Sequence, residues 1–191
     1  MQKLLEKLRY FIITLWLATV FCAFYLYLFQ RAMVMSYLTD IFSGSATSGY
    51  WIYLLLGCLR GFTLIPTAYL LLIGIIFFKP VPLFIINMIG TLVSSACVYY
   101  FSESLRFDKF FEHRYGKLIE KTKLVLQKNE LPIVIGWSLF PLTPTDLICY
   151  VCGTLKIDIK KFLFGIFIGE AVGSSLYIYF GDYILKLAHL R

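Results

Sequence analysis

The sequence predicts an all-α integral membrane protein built from two inverted repeats. Each repeat is a re-entrant helical hairpin plus a transmembrane helix, and an N-terminal anchor helix and an amphipathic linker helix complete the chain. Three observations lead there. Hydrophobic residues make up 60% and charged residues 15% of the chain, with mean hydropathy +0.79, too little polar surface for a soluble domain. Charge is confined to a few places, leaving uncharged runs at 10–29, 61–78 and 80–102 and runs with one acidic residue each at 131–155 and 162–181. Finally, the block from Phe140 to Asp182 has a weaker copy from Pro66 to Phe101. The offset that lays Gly74 on Gly153 also lays Gly90 on Gly169, Ser95 on Ser174 and Tyr100-Phe101 on Tyr179-Phe180, and a one-residue slip brings Pro66-Thr67 onto Pro144-Thr145.

Residues 1–191 read as a single membrane domain: an N-terminal transmembrane helix at 10–30, the first repeat at 50–102, a cytoplasmic linker at 103–130 and the second repeat at 131–183. The first apolar run is too long for a signal peptide, lacks a small-x-small cleavage site, and has Phe21 rather than a small residue before Cys22, so an uncleaved anchor is expected. Lys3, Lys7 and Arg9 place this end in the cytoplasm by the positive-inside rule. The stretch around SGSATSG, with Arg31 and Asp40 its only nearby charges, reads as a loop on the other side.

In the first repeat, Arg60-Gly61 interrupts an apolar stretch and Pro66 follows. A straight helix would place the arginine near the bilayer centre, so two half-helices meeting at 60–66 are expected, shaped by Pro66 and Gly74. Residues 83–102 then cross the membrane. From Glu103 to Glu130 there are seven Lys/Arg and five Asp/Glu, with Phe107, Phe110, Phe111, Tyr115, Leu118, Ile119, Val125 and Leu126 at helical spacing. That pattern suits an amphipathic helix on the cytoplasmic membrane surface.

The second repeat follows the same logic, with Pro141 and Pro144 as the break, Asp146 directly after it and Gly153 in the second arm. In the last crossing Gly165, Gly169 and Gly173 leave one helix face open to close packing. A hairpin that returns to its own side plus one crossing makes an odd number of crossings, so the second repeat starts on the opposite face. The two hairpins then meet near the midplane, as in many transporters.

Ionisable groups inside apolar blocks are the candidate site, because an isolated charge at the bilayer centre costs ~2.5–3.5 kcal/mol even on insertion scales. Arg60 and Asp146 lie at the two breaks and would face one cavity, as substrate-binding residues or as a structural ion pair. Thr67 and Thr145, beside their prolines, offer hydroxyls and half-helix N-termini to an anion such as phosphate, or else satisfy freed backbone groups. Glu170, after Gly169 in the last crossing, is a candidate proton carrier together with Asp146, or a carboxyl hydrogen-bonded to a neighbouring helix. Asp182 reads as an interfacial cap. Cys149 and Cys152 have redox spacing but no second pair and no histidine nearby, so they read as packing residues, and no metal or cofactor is expected. No nucleophile-base constellation appears, and a non-enzymatic protein is expected.

The stretch FPLTPTDLICYVCGTLKIDIKKFLFGIFIGEAVGSSLYIYFGD resembles the DedA superfamily, also known as the VTT or SNARE-associated Golgi protein family. The likeness lies in Pro141-x-x-Pro144-Thr145-Asp146, then Gly153, then the Gly-x-x-x-Gly and Tyr-x-x-x-Gly arrangements. LRGFTLIPTAYLLLIG is similar to that family's first hairpin, and together these cover about 60–182. Ser138 departs from the pattern, since relatives commonly carry arginine there. The resemblance implies two facing re-entrant hairpins and movement of lipid across the bilayer: phospholipid scrambling in eukaryotic relatives, or translocation of polyprenyl phosphate or phosphatidylethanolamine in bacterial ones, with proton coupling.

The expectation is a lipid flippase or scramblase of a bacterial inner membrane, with membrane lipids as partners and no nucleic acid; a homo-oligomer remains open. The alternatives are a membrane-organising protein acting through the 103–130 linker and a proton-coupled small-solute antiporter.

Overall fold

The computed structural model describes residues 46–64, 67–105, 124–126, 128–139 and 145–187, with scattered positions between 11 and 40. The anchor at 10–30 and the linker at 103–130 therefore fall largely outside the described residues, as do Pro66, Pro141 and Pro144. The described secondary structure is helical. Helix α1 spans Ala46–Arg60, α2 Thr67–Phe77, α3 Pro80–Leu105, α4 Glu130–Leu139, α5 Thr145–Leu155 and α6 Ile159–Leu187.

The breaks follow from the sequence. Arg60 ends α1, and its carbonyl takes the Thr63 N–H at 2.8 Å and the Thr63 hydroxyl at 2.7 Å, closing a tight turn. Leu64 sits in that turn with φ 58°, a left-handed conformation that is uncommon for a non-glycine residue. At the end of α5, Lys156 adopts φ 54°. Its N–H reaches the Gly153 carbonyl at 3.2 Å and that of Ile157 the Cys152 carbonyl at 3.0 Å, the paired bonds of a Schellman motif. Asp158 then caps α6, its Oδ1 accepting from the N–H groups of Lys160 at 2.9 Å and Lys161 at 3.2 Å.

Helix lengths separate into two groups. α2 and α5 each have 11 residues, ~16 Å of helix against a hydrocarbon core of ~30 Å. α3 has 26 residues and α6 has 29, and both are long and apolar enough to cross a membrane. Packing is reciprocal: α1 lies on α3 and α4 on α6, α5 lies on α3 and α2 on α6, and α3 and α6 lie on each other.

Polarity is distributed inside out relative to a soluble protein. On α3 the buried positions include Asn87, Thr91, Ser94, Ser95 and Ser102, whereas Val81, Ile85, Ile89 and Val93 are exposed. Phe164, Phe167, Val172, Leu176, Phe180 and Tyr183 are exposed along α6. Apolar stripes of this extent need hydrocarbon around them. Inside, one apolar cluster gathers around Val98, Val134, Cys149, Cys152, Phe162 and Ile166. A second gathers around Tyr53, Leu71, Ile75, Phe78, Leu83 and Ile178.

Glycines set the closest helix approaches. A Cβ on Gly90 would meet the Gly57 Cα at 3.3 Å, joining α3 to α1, and one on Gly169 would meet the Ser138 Cβ at 2.5 Å, joining α6 to α4. Gly165 faces Val134, and Gly173 lies more loosely over the Ser138 and Leu139 carbonyls. Gly165, Gly169 and Gly173 thus face α4, whereas Gly181 of the same helix lies against Ile75 of α2. Gly74 lies against Leu83 and Tyr53, and Gly153 against Ser102 and the Tyr99 backbone.

Candidate functional site

α1 and α5 meet at a buried ion pair. Arg60, the last residue of α1, places Nη1 3.3 Å from Oδ2 of Asp146, the second residue of α5, with side chains 4% and 0% exposed. Each charge suits its helix end: a cation at the C-terminus of α1, an anion in the first turn of α5. The backbone beside Arg60 is fastened as well. The Gly61 N–H donates to Ser94 Oγ at 3.0 Å, and Tyr150 donates its hydroxyl to the Gly61 carbonyl at 3.4 Å.

Glu170, buried in the middle of α6, is the second focus. Thr67 opens α2 and Thr145 opens α5, and both hydroxyls donate to the same oxygen, Glu170 Oε1, at 3.4 and 2.6 Å. The first residues of two short helices therefore converge on one carboxyl group. Each helix N-terminus carries roughly half a positive charge, so together they offset about one carboxylate. Arg60 and Asp146 lie close enough to act on Glu170 electrostatically.

A polar chain continues across the bundle. Tyr53 donates to Asn87 Oδ1 at 3.2 Å, Asn87 Nδ2 donates to Ser174 Oγ at 3.4 Å, and the Ser174 hydroxyl donates to the Glu170 carbonyl. Beside Glu170 lies a cavity of about 20 Å³, lined by Thr67, Ala68, Leu71, Ser138, Leu139, Thr145, Glu170, Gly173, Ser174 and Tyr177. It has room for about one water molecule. Ser138 is 4% exposed and its Oγ has no hydrogen-bond partner among the described residues. The register that lays Pro66 on Pro144 also lays Arg60 on Ser138 and Ala68 on Asp146. The cavity is thus lined by the counterparts of the ion pair.

The structure brings Arg60, Asp146, Thr67, Thr145 and Glu170 into one buried neighbourhood. It places Asp182 elsewhere, at the end of α6, with Oδ2 2.6 Å from Lys186 Nζ. Cys149 donates to the Thr145 carbonyl at 3.3 Å and Cys152 is packed in the core. Sequence reasoning missed Tyr53, Asn87, Ser94 and Tyr150. Asn87 carried a usable signal, being the lone amide side chain in the apolar run 80–102.

A family profile described as the VTT domain matches residues 65–183, more than half of the chain. No curated protein and no solved structure matches. The matched segment contains α2 through α5 and α6 as far as Tyr183, and with them Glu170, both threonines and Asp146. The chain belongs to the VTT domain family, the membrane proteins of the DedA and SNARE-associated Golgi group.

Proposed function

We propose that this protein is a membrane transporter that moves a lipid with a phosphate-bearing headgroup between leaflets, with protons as the coupling ion. The observation that carries this reading is the convergence of the α2 and α5 N-termini on Glu170 beside the Arg60–Asp146 pair. Polar groups buried under an apolar exterior are costly in a membrane and tend to mark a substrate or ion path. In this reading Arg60 binds the phosphate, Asp146 positions and counterbalances Arg60, and Glu170 carries the proton. Pro66, Pro141 and Pro144 shape the hairpins.

The α1–α2 and α4–α5 pairs are re-entrant hairpins entering from opposite faces. Their support is the half-membrane length of α2 and α5 and the reciprocal packing of the hairpins on α3 and α6. The location we propose is a bacterial cell membrane with the N-terminus in the cytoplasm, on the strength of Lys3, Lys7 and Arg9.

The test is leaflet-to-leaflet movement of labelled phospholipid and of polyprenyl phosphate in liposomes containing the purified protein, with and without a pH gradient. Wild type should move one of them, and monodisperse Arg60→Ala, Asp146→Asn and Glu170→Gln variants should not. Absence of movement of both lipids under both conditions refutes the reading.

A further inference from the structure

We propose that the first turns of α2 and α5 form a phosphate-binding site, and that the Glu170 carboxylate is its built-in, tethered occupant, which a lipid phosphate must displace. The proposal deepens the transporter reading and rests on it for the lipid nature of the ligand.

The site has the parts a phosphate needs. The first backbone N–H groups of a helix lack intrahelical partners, and the helix dipole favours negative charge there. Here each of two such ends begins with a threonine whose hydroxyl donates to the same carboxyl oxygen, at 3.4 Å from Thr67 and 2.6 Å from Thr145. Glu170 Oε1 therefore occupies the position a phosphate oxygen would take.

An independent observation comes from the opposite wall. Ser138 is 4% exposed, lines the cavity beside Glu170, and has a hydroxyl with no hydrogen-bond partner among the described residues. A buried hydroxyl left unpaired carries a desolvation cost, which a ligand oxygen would remove. Ser138 also stands where the first hairpin carries Arg60, so this side of the site is roomier and lacks its own cation.

Space and charge make the two anions exclusive. The cavity beside Glu170, about 20 Å³, has room for about one water, and the place at the two hydroxyls is already filled by Glu170 Oε1. The Arg60–Asp146 pair is neutral as a whole, and the two helix ends supply roughly one positive charge, which one carboxylate already offsets. A phosphate beside an ionised Glu170 would meet uncompensated repulsion in a low-dielectric site. Entry of the headgroup therefore requires Glu170 to leave the threonines or to lose its charge.

The consequence runs against ordinary expectation for a buried site residue: removing Glu170 should tighten binding. The experiment titrates the purified full-length protein in detergent with inorganic phosphate, with dihexanoyl phosphatidic acid, and with dihexanoylglycerol as the uncharged control. Glu170→Ala, which frees both charge and volume, should bind phosphate and phosphatidic acid about tenfold or more tighter than wild type, a gain of about 1.4 kcal/mol. Glu170→Gln, which removes only the charge, should gain less but still bind more tightly than wild type. Adding Thr67→Val and Thr145→Val to Glu170→Ala should abolish the gain.

Monodisperse variants that bind no tighter than wild type overturn the proposal, as does a gain that survives loss of both hydroxyls. A gain for inorganic phosphate alone overturns the assignment to a lipid headgroup, and an equal gain for dihexanoylglycerol shows that only volume was freed and overturns the anion site. Binding is read without transport, so the two readings fail separately. Tighter binding without lipid movement in liposomes refutes the transporter and leaves the site. Lipid movement without tighter binding refutes the site and leaves the transporter.

Discussion

Arg60 and Asp146 lie 86 residues apart in the chain and 3.3 Å apart in the fold, each at a helix end and each buried. Removing one partner leaves a buried charge uncompensated, whereas replacing both by apolar groups of similar volume removes the problem. Asp146→Ala should therefore lower the unfolding free energy by about 3 kcal/mol, and Arg60→Met/Asp146→Leu should recover most of that loss. Reversible unfolding in mixed detergent micelles measures both. Lipid movement should be lost in both variants; recovery of transport with recovery of stability would reduce the pair to a structural clasp.

The glycine face of α6 gives a graded test of packing. At Gly169 an added Cβ would lie 2.5 Å from the Ser138 Cβ and 2.9 Å from the Ile135 carbonyl oxygen, so α4 must move outward. At Gly173 the nearest atoms are at 3.8 and 4.0 Å, ordinary contact. Gly169→Ala should cost about 1–3 kcal/mol. Gly173→Ala should fall between neutral and about 1 kcal/mol stabilising, through the better helix propensity of alanine. Melting temperatures in one detergent decide it, and equal losses at the two positions would contradict the packing described here.

The breaks were legible in the sequence because charge and proline are costly inside an apolar run: Arg60 ends α1, and Thr67 and Thr145 open α2 and α5 at the positions the repeat aligns. The glycines of the last crossing signalled a close helix neighbour for the same reason, that they offer no side chain. Partners were not legible. On α3 the polar residues Asn87, Thr91, Ser94, Ser95 and Ser102 recur at helical spacing, but what that stripe packs against is revealed only by the tertiary packing. Likewise the sequence assigned Thr67 and Thr145 to a headgroup and Glu170 to a proton. That one carboxyl oxygen takes both hydroxyls depends on how α2, α5 and α6 are rotated against each other.

The chain of hydrogen bonds from Tyr53 through Asn87 to Ser174 links α1, α3 and α6. Hydrogen bonds between helices in membranes are worth about 0.6 kcal/mol on average and up to about 1.7. Tyr53→Phe, which removes one donor, should cost about 1 kcal/mol. Asn87→Ala cuts both bonds and opens a void, so its cost should be about 2 kcal/mol. Unfolding titrations check the order, and a larger loss for Tyr53→Phe would place the anchor elsewhere than on Asn87.

The cap of α6 predicts a pH dependence. Asp158 is exposed, and the backbone N–H groups of Lys161 and Lys160 hold its carboxyl below the ordinary carboxylate range. Because the folded-state value is depressed, the capping contribution is fully present above the ordinary aspartate value of about 3.9 and is lost as pH falls through the folded value. Asp158→Ala should melt below wild type near neutral pH, and that gap should narrow as pH falls below about 3.9. Asp158→Asn accepts the same backbone bonds without titrating, so its advantage over Asp158→Ala should persist to low pH. Melting curves of the three proteins between neutral and acid pH make the comparison, and a wild-type gap that stays constant would show that the carboxylate charge contributes nothing to the cap.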